Sequence, residues 1–349
     1  MTTHYVGWDI GGAHLKVSLL DSAGKPLAIQ QVGCPLWRGT DELARAAALV
    51  EFPITEMDGV HAITMTGELC DIFPNREQGV LDIVGLVENL LPAGVDTRIY
   101  AGYEGWLTPQ AVSLSNASAV ASANWLALSA YTADLMDDGL LIDVGSTTTD
   151  LIQVAGGELL AQGADDASRL AAGELIYAGV TRTPVAALCR SVPYGGQWRP
   201  LTREYFANAA DVYRLLKKIS EYDDLMPSAD GRGKDVIASA QRLARMLGMD
   251  GDPNDLAAIG HVAGFIAESQ LQELTNSIYA LASRCDPSSI PLQMVGAGVG
   301  RFMVEQAARR VDVPYQNFAN FAGVSPELAD AAAVCAPALA VAKLAWMTT

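Results

Sequence analysis

The chain opens with three short apolar runs, Tyr5–Ile10, Ala13–Leu20 and Leu27–Val32, each of strand length. The last two are joined by Asp-Ser-Ala-Gly-Lys-Pro, a composition that favours a turn. The period then changes. Leu43, Ala46, Ala47 and Val50 share one face of a helix over Asp41–Val50, and Thr40 stands where an N-cap would. A strand at His61–Thr66, a helix within Asn75–Leu91, a strand at Thr97–Tyr100 and a long helix over Ser115–Asp137 follow. Three consecutive strands and then alternating helices and strands predict an α/β unit.

A second unit begins in the same way over 139–162 and then departs from the pattern. Ala167–Gly179 reads as a helix, 190–200 as a loop rich in Pro, Gly, Arg and Trp, and Thr202–Lys218 as a helix capped by Thr202. Pro227–Lys234 reads as a glycine-containing loop and Asp235–Leu247 as another helix, so 163–250 is predicted to be a mostly helical insertion. Pro253–Arg284 is a long helix, followed by a strand at 292–296, a helix at Arg301–Arg310, a strand near Val313–Gln316 and a helical region from Pro326. The expected domains are 1–137 with a C-terminal helix at about 326–349, and 138–325, with a cleft between them.

Composition narrows the function classes. Half of the 349 residues are hydrophobic, enough for two substantial cores. A formal net charge of −17 with no basic cluster argues against nucleic acid and anionic membrane as partners, and requires a local positive pocket for any anionic substrate. Cys34, Cys70, Cys189, Cys285 and Cys335 are dispersed, as reduced thiols of a cytoplasmic protein would be. His4, His14, His61 and His261 lack metal-ligand spacing. The N-terminus runs directly into a strand without a signal peptide, and the apolar stretches Ala117–Met136 and Ala331–Met347 read as buried helices.

The chemistry concentrates where strands end. Leu140–Asp150, LLIDVGSTTTD, is an apolar strand ending at Asp143, then Gly145, then Ser146, Thr147, Thr148 and Thr149. A carboxylate beside a glycine turn rich in donors suits a phosphate carrying Mg²⁺. The same pattern stands at Asp9-Ile10-Gly11-Gly12, and a late strand ends in Gly296-Ala297-Gly298-Val299-Gly300. The expectation is that Asp9 and Asp143 hold Mg²⁺ across the cleft, largely through water, while Gly11, Gly12 and Gly145 let backbone approach phosphate oxygens. Lys16 either adds a positive charge beside the first loop or is a solvated strand lysine. Glu68, in Thr66-Gly67-Glu68, is either a general base or a turn glutamate. Arg182, and Arg232 with Lys234 in the loop Asp230–Asp235, are candidate diphosphate contacts or surface cations. No Walker A box, HExxH, GxSxG or dinucleotide fingerprint is present.

Two aspartate–glycine hairpins and one late glycine turn, in that order, resemble the ASKHA superfamily of sugar kinases, heat-shock chaperones and actin. That resemblance implies two RNase-H-like domains, with the first two loops on phosphates and the third, Gly296, Ala297 and Gly298, on a nucleoside or its equivalent. More closely, the chain is similar to the hydantoinase A/oxoprolinase branch and, within it, to the tetrahydromethanopterin-linked C1 transfer pathway proteins. The segments that carry this are DIGGAHLK at 9–16, TMTGELCD at 64–71, FPNREQGV at 73–80, DVGSTTTD at 143–150, GVTRTPV at 179–185, FANAADVYRL at 206–215, ADGRGK at 229–234, RLARML at 242–247 and VGAGVG at 295–300. Ala13-His14 replaces the hydroxyl that follows the glycines in kinases.

The resemblance implies a transferase of methanofuran or methylofuran biosynthesis. An aminomethylfuran bearing a methyl diphosphate is joined to the phenol of a tyramine- or tyrosine-type acceptor, pyrophosphate leaves, and ATP is not required. Glu68 would accept the phenolic proton. An ATP-dependent kinase or oxoprolinase-like hydrolase, and a nucleotide-binding scaffold, remain as alternatives. A homodimer is left open.

Overall fold

The computed structural model describes residues 3–284 and 293–349; Cys285 and the first position of the strand expected at 292–296 lie outside them. The chain divides into two compact units. One comprises Met1–Asp137, Gly156–Leu159 and Phe318–Thr349, and the other Asp138–Ala155 and Leu160–Asn317.

The first unit is a six-stranded sheet of order β3-β2-β1-β4-β5-β6. Its strands are β1 (Tyr5–Ile10), β2 (His14–Leu20), β3 (Pro26–Gly33), β4 (Val60–Met65), β5 (Asp96–Tyr100) and β6 (Trp106–Leu107). β1 runs antiparallel to β2 and parallel to β4, and the register sets Asp9 between Lys16 and Thr64. Trp8, Ile10, Leu15, Val17 and Met65 share a buried cluster with residues of α1 (Asp41–Ala48) and α2 (Arg76–Leu90). On the other face, Gly7 admits the helix Ala336–Met347: a Cβ on Gly7 would lie 2.0 Å from the Ala338 carbonyl oxygen. Ser18 Oγ donates to that same carbonyl at 2.8 Å.

Two local expectations for this unit change. Thr40 makes no side-chain cap bond to α1, whereas Asn75 Oδ1 accepts from Gln78 N and starts α2. The long helix expected over Ser115–Asp137 is broken into α3 (Ala117–Val120) and α4 (Asn124–Ala133). Ser122, between them, has φ 53°, which no helix can contain.

In the second unit, β7 (Gly139–Val144) and β8 (Thr149–Ala155) form the hairpin. Leu175–Ile176 lies antiparallel to β8, Met294–Ala297 lies parallel to β7, and Tyr315–Asn317 follows in parallel. Both sheets therefore carry the RNase-H-like order third, second, first, fourth, fifth, and the chain has the α/β fold class of the ASKHA proteins.

The insertion departs most from the sequence reading. The helix expected over Ala167–Gly179 is only Asp166–Ala171, because Gly173 turns the chain at φ 65° and frees Leu175–Ile176 for the sheet. The expected loop at 190–200 is a hairpin, Ser191–Tyr194 with Gln197–Pro200, whose turn glycines Gly195 and Gly196 have φ 59° and 76°. Thr202 caps no helix: its N–H donates to the Met246 carbonyl. The helix begins instead at Ala209, where Asn208 and Asp211 form a reciprocal cap. Among the described residues no single helix is long and apolar enough to cross a membrane.

His61 is a core residue. Trp8 Nε1–H donates to His61 Nδ1 at 3.1 Å, so the ring proton sits on Nε2, which donates to the Met57 carbonyl at 3.1 Å. Burial, the largest cause, lowers the imidazole pKa from its ordinary 6.5. Below that value the unfolded chain binds a proton that the folded chain refuses, so stability is full above pH 6.5 and declines as pH falls below it. His61→Gln can keep both hydrogen bonds and cannot titrate. Denaturant unfolding at a series of pH values should show a shallower acid decline in His61→Gln than in the parent chain.

Candidate active site

In the first unit the β1–β2 glycine turn packs on the turn that follows β4. Gly11 N–H donates to the His14 carbonyl at 2.9 Å, and Thr66 N–H donates to the Ile10 carbonyl at 3.0 Å. A Cβ on Gly12 would lie 2.9 Å from Cys70 Sγ, and one on Gly67 would lie 3.1 Å from the Ile10 carbonyl oxygen. Asp9 alternates with Trp8 along β1 and so faces the same side as Gly7. Its carboxylate, 3% exposed as a residue, lies 3.7 Å from Lys16 Nζ. Burial pushes the nearby Cys335 thiol up to about 12, with Lys16 and Asp9 acting on it in opposite directions. That thiol stays protonated at neutral pH.

Glu68 is 1% exposed. It sits in the single 3-10 turn Gly67–Leu69, with Gly79 of α2 packed on its stem. Ser122 Oγ donates to Glu68 Oε1 at 2.7 Å. The structure thus gathers Asp9, Gly11, Gly12, Lys16 and Glu68 at the carboxyl ends of β1 and β4, the edge of an open α/β sheet where ligands bind.

The second unit builds a tighter cradle. Gly145 N–H closes the β7–β8 turn on the Thr148 carbonyl at 2.9 Å. The 179–182 segment folds against that turn: Val180 N–H donates to the Gly145 carbonyl, and Thr181 and Arg182 N–H both donate to the Ser146 carbonyl. A Cβ on Gly179 would fall 2.5 Å from both the Gly145 oxygen and the Thr147 nitrogen. Arg182 Nη1 donates to Thr147 Oγ1 at 3.4 Å, which brings a guanidinium to the row Ser146, Thr147, Thr148.

The late glycine turn closes the other flank. Gly300 N–H donates to the Val144 carbonyl at 2.8 Å. At Gly298, φ is +81°, and a Cβ would meet the Val144 oxygen at 2.2 Å and Asp143 Oδ1 at 2.3 Å. Asp143, Gly145 to Thr148, Arg182 and Gly298 therefore form one cluster. Gly296 and Ala297 serve packing: Ala297 is fully buried and Gly296 lies under the Tyr315 ring.

Arg232 and Lys234 are placed differently. Lys234 Nζ donates to the Asp224 carbonyl and lies 3.5 Å from the Asp224 carboxylate. Arg232 is an exposed side chain 4.0 Å from Asp230. Their loop is anchored by the fully buried Arg242, which donates to Asp211, Asp230 and the Gly233 carbonyl. Sequence reasoning missed Ser122, which stands in an alanine-rich run with no local mark, and Gly179, whose signal is a glycine directly before Val-Thr-Arg-Thr. Among the described residues no group of three or more His, Cys, Asp or Glu side chains is gathered for a metal.

The family profile described as hydantoinase/oxoprolinase matches residues 60–346, and the chain belongs to that family. Over 340 residues, 97% of this chain and 96% of the relative, it is 29% identical to a protein of Methanocaldococcus jannaschii named (4-{4-[2-(gamma-L-glutamylamino)ethyl]phenoxymethyl}furan-2-yl)methanamine synthase. A protein of Methanococcus vannielii with the same name is 35% identical over 111 residues, 32% of this chain and 50% of that one. Among solved structures, Acidaminococcus fermentans (R)-2-hydroxyglutaryl-CoA dehydratase component A aligns with 99% of this chain and 98% of its own, at 14% identity and a TM-score of 0.46. A ROK-family glucokinase from Streptomyces griseus aligns with 99% of each chain at 16% identity and a TM-score of 0.46.

Gly179→Ala should disrupt the cradle without touching a charged group. Thermal unfolding should show a Tm several degrees below that of the parent chain, because the added Cβ would meet backbone atoms of Gly145 and Thr147 at 2.5 Å.

Proposed function

We propose that this chain is a transferase of methanofuran or methylofuran biosynthesis that joins an aminomethylfuran methyl diphosphate to a phenol. The observation that carries this reading is the likeness along 97% of the chain to a synthase whose named product contains a phenoxymethyl-furan ether. In the reaction the methylene carbon–oxygen bond to the diphosphate breaks and its electron pair leaves on pyrophosphate. The phenolic oxygen forms the new bond to that carbon, and the phenolic proton passes to a base.

The residues support each step. The leaving pyrophosphate gathers negative charge, and the cradle of Gly145, Ser146, Thr147 and Thr148 with Arg182 offers hydroxyls and one guanidinium to it. The scattered carboxylates suit a cation that arrives on the diphosphate better than a cage built from protein alone, which fits Mg²⁺. Asp143, beside the cradle, is the carboxylate we assign to it, and Asp9 stands near the end of the matching strand of the first hairpin. Bound Mg²⁺ would neutralise charge on the departing oxygens. The furan delocalises positive charge at the methylene carbon, so departure runs ahead of attack. A phenol, with a reference pKa of about 10, is a poor nucleophile while protonated, and Glu68 is our assignment for its base. The acceptor is a tyramine- or tyrosine-type phenol.

Incubating the chain with the furanmethyl diphosphate and each phenol should release pyrophosphate and yield an ether of the summed mass less pyrophosphate. ADP formed only when ATP is added, with no ether, would sink this reading in favour of an ATP-driven one. Glu68→Gln should lower kcat by about 100-fold or more, the span of general-base catalysis. Arg182→Ala should lower kcat for pyrophosphate release as well as raise KM for the diphosphate in steady-state assays, since its guanidinium meets charge that grows as the bond breaks.

A further inference from the structure

Ser122 is a strained residue with one visible task. Among the described residues, three that are not glycine have positive φ: Ser122, Lys217 and Asp312. Lys217 and Asp312 are exposed and stand just beyond the C-terminal ends of the helices Ala209–Leu215 and Arg301–Arg310, where such a conformation ordinarily ends a helix. Ser122 is different. It too stands two residues past a helix end, that of Ala117–Val120, but it is buried and a second helix, Asn124–Ala133, follows at once. Glycine would occupy this conformation without strain, and asparagine would tolerate it. Serine has no such advantage. What it adds is a hydroxyl, and that hydroxyl donates to Glu68 Oε1 at 2.7 Å.

The opposite side of Glu68 is fixed by packing. The space of a Cβ on Gly79 would overlap the Glu68 backbone oxygen and Cβ, at 2.8 and 3.0 Å. Its stem is thus pinned by α2 and its head by Ser122. A strained backbone kept at the end of a hydrogen bond to an acidic group is the pattern of a preorganised site.

We propose that Ser122 is the positioning residue of Glu68, holding the carboxylate in the single orientation in which it accepts the acceptor's proton. This rests on the proposed reaction. Ser122 acts through the hydroxyl that reaches the proposed base, so its effect falls on the proton-transfer step and not on diphosphate binding.

Ser122→Gly removes the hydroxyl and relieves the backbone. Its Tm should equal or exceed that of the parent chain, while kcat for pyrophosphate release falls about tenfold, as loss of a hydrogen bond to a charged group implies, and KM for the diphosphate stays unchanged. In a Glu68→Gln background the same substitution should cost nothing further. An unchanged kcat in Ser122→Gly, or a full additional loss in the double variant, overturns the proposal. Should the parent chain release no pyrophosphate, the proposed reaction fails, and the pairing is decided without substrate. In protein carrying ¹³C-carboxyl glutamate, with the Glu68 signal assigned by its absence in Glu68→Gln, Ser122→Gly should shift that signal at fixed pH. An unmoved signal overturns the pairing.

Discussion

The hydroxyl-rich turn at the end of the second sheet depends on how closely neighbouring backbones approach. In the second unit the strand-end turn after Asp143 is met from two sides, by the 179–182 segment and by Gly298 to Gly300. Both approaches would place a Cβ inside the hydrogen-bonding distance of a backbone atom. Only glycine permits this, and the hydrogen bonds onto the Gly145, Ser146 and Val144 carbonyls then lock the three segments together. The cost is conformational entropy in the unfolded chain. The gain is a row of hydroxyls, one guanidinium and one carboxylate held together with little conformational freedom.

The first unit solves a related problem with charge. Its turn glycines bring the Asp9 hairpin onto the turn after β4, and the register sets Lys16 opposite Asp9. A buried carboxylate without a cation or donors would take up a proton. Lys16 for Asp9 and Ser122 for Glu68 are the counterparts that the fold supplies. Neutral groups nearby are kept neutral by burial: the Cys34 and Cys335 thiols are pushed up to about 12.

In the insertion a cationic motif is tied into a network of ion pairs. Asp230-Gly231-Arg232-Gly233-Lys234 offers two cations among glycines, yet Lys234 turns inward to Asp224 and the loop is tied to the buried Arg242. With Arg214, Asp211, Asp224 and Asp230, these residues form a paired network beneath the loop. Buried ion pairs of this kind fix one packing among several of similar hydrophobic content, because breaking one partner strands the other in a medium that cannot solvate it.

The pattern of apolar runs was enough to read both Asp–Gly hairpins and the helix Arg301–Arg310, because strand alternation and glycine turns are local properties. Asp9, Gly11, Asp143 and Gly145 were legible for the same reason. What the sequence left undetermined was every feature whose cause lies far along the chain. Ser122 breaks a helix that its own alanine-rich neighbours would continue, and its hydroxyl finds Glu68, 54 positions away. Thr202 looks like a cap but gives its N–H to Met246, and Arg182 joins the cradle only because Gly179 lets its segment fold onto Ser146. Local propensity differs between such alternatives by about 1 kcal/mol, and burial and long-range hydrogen bonds of the tertiary structure outweigh it.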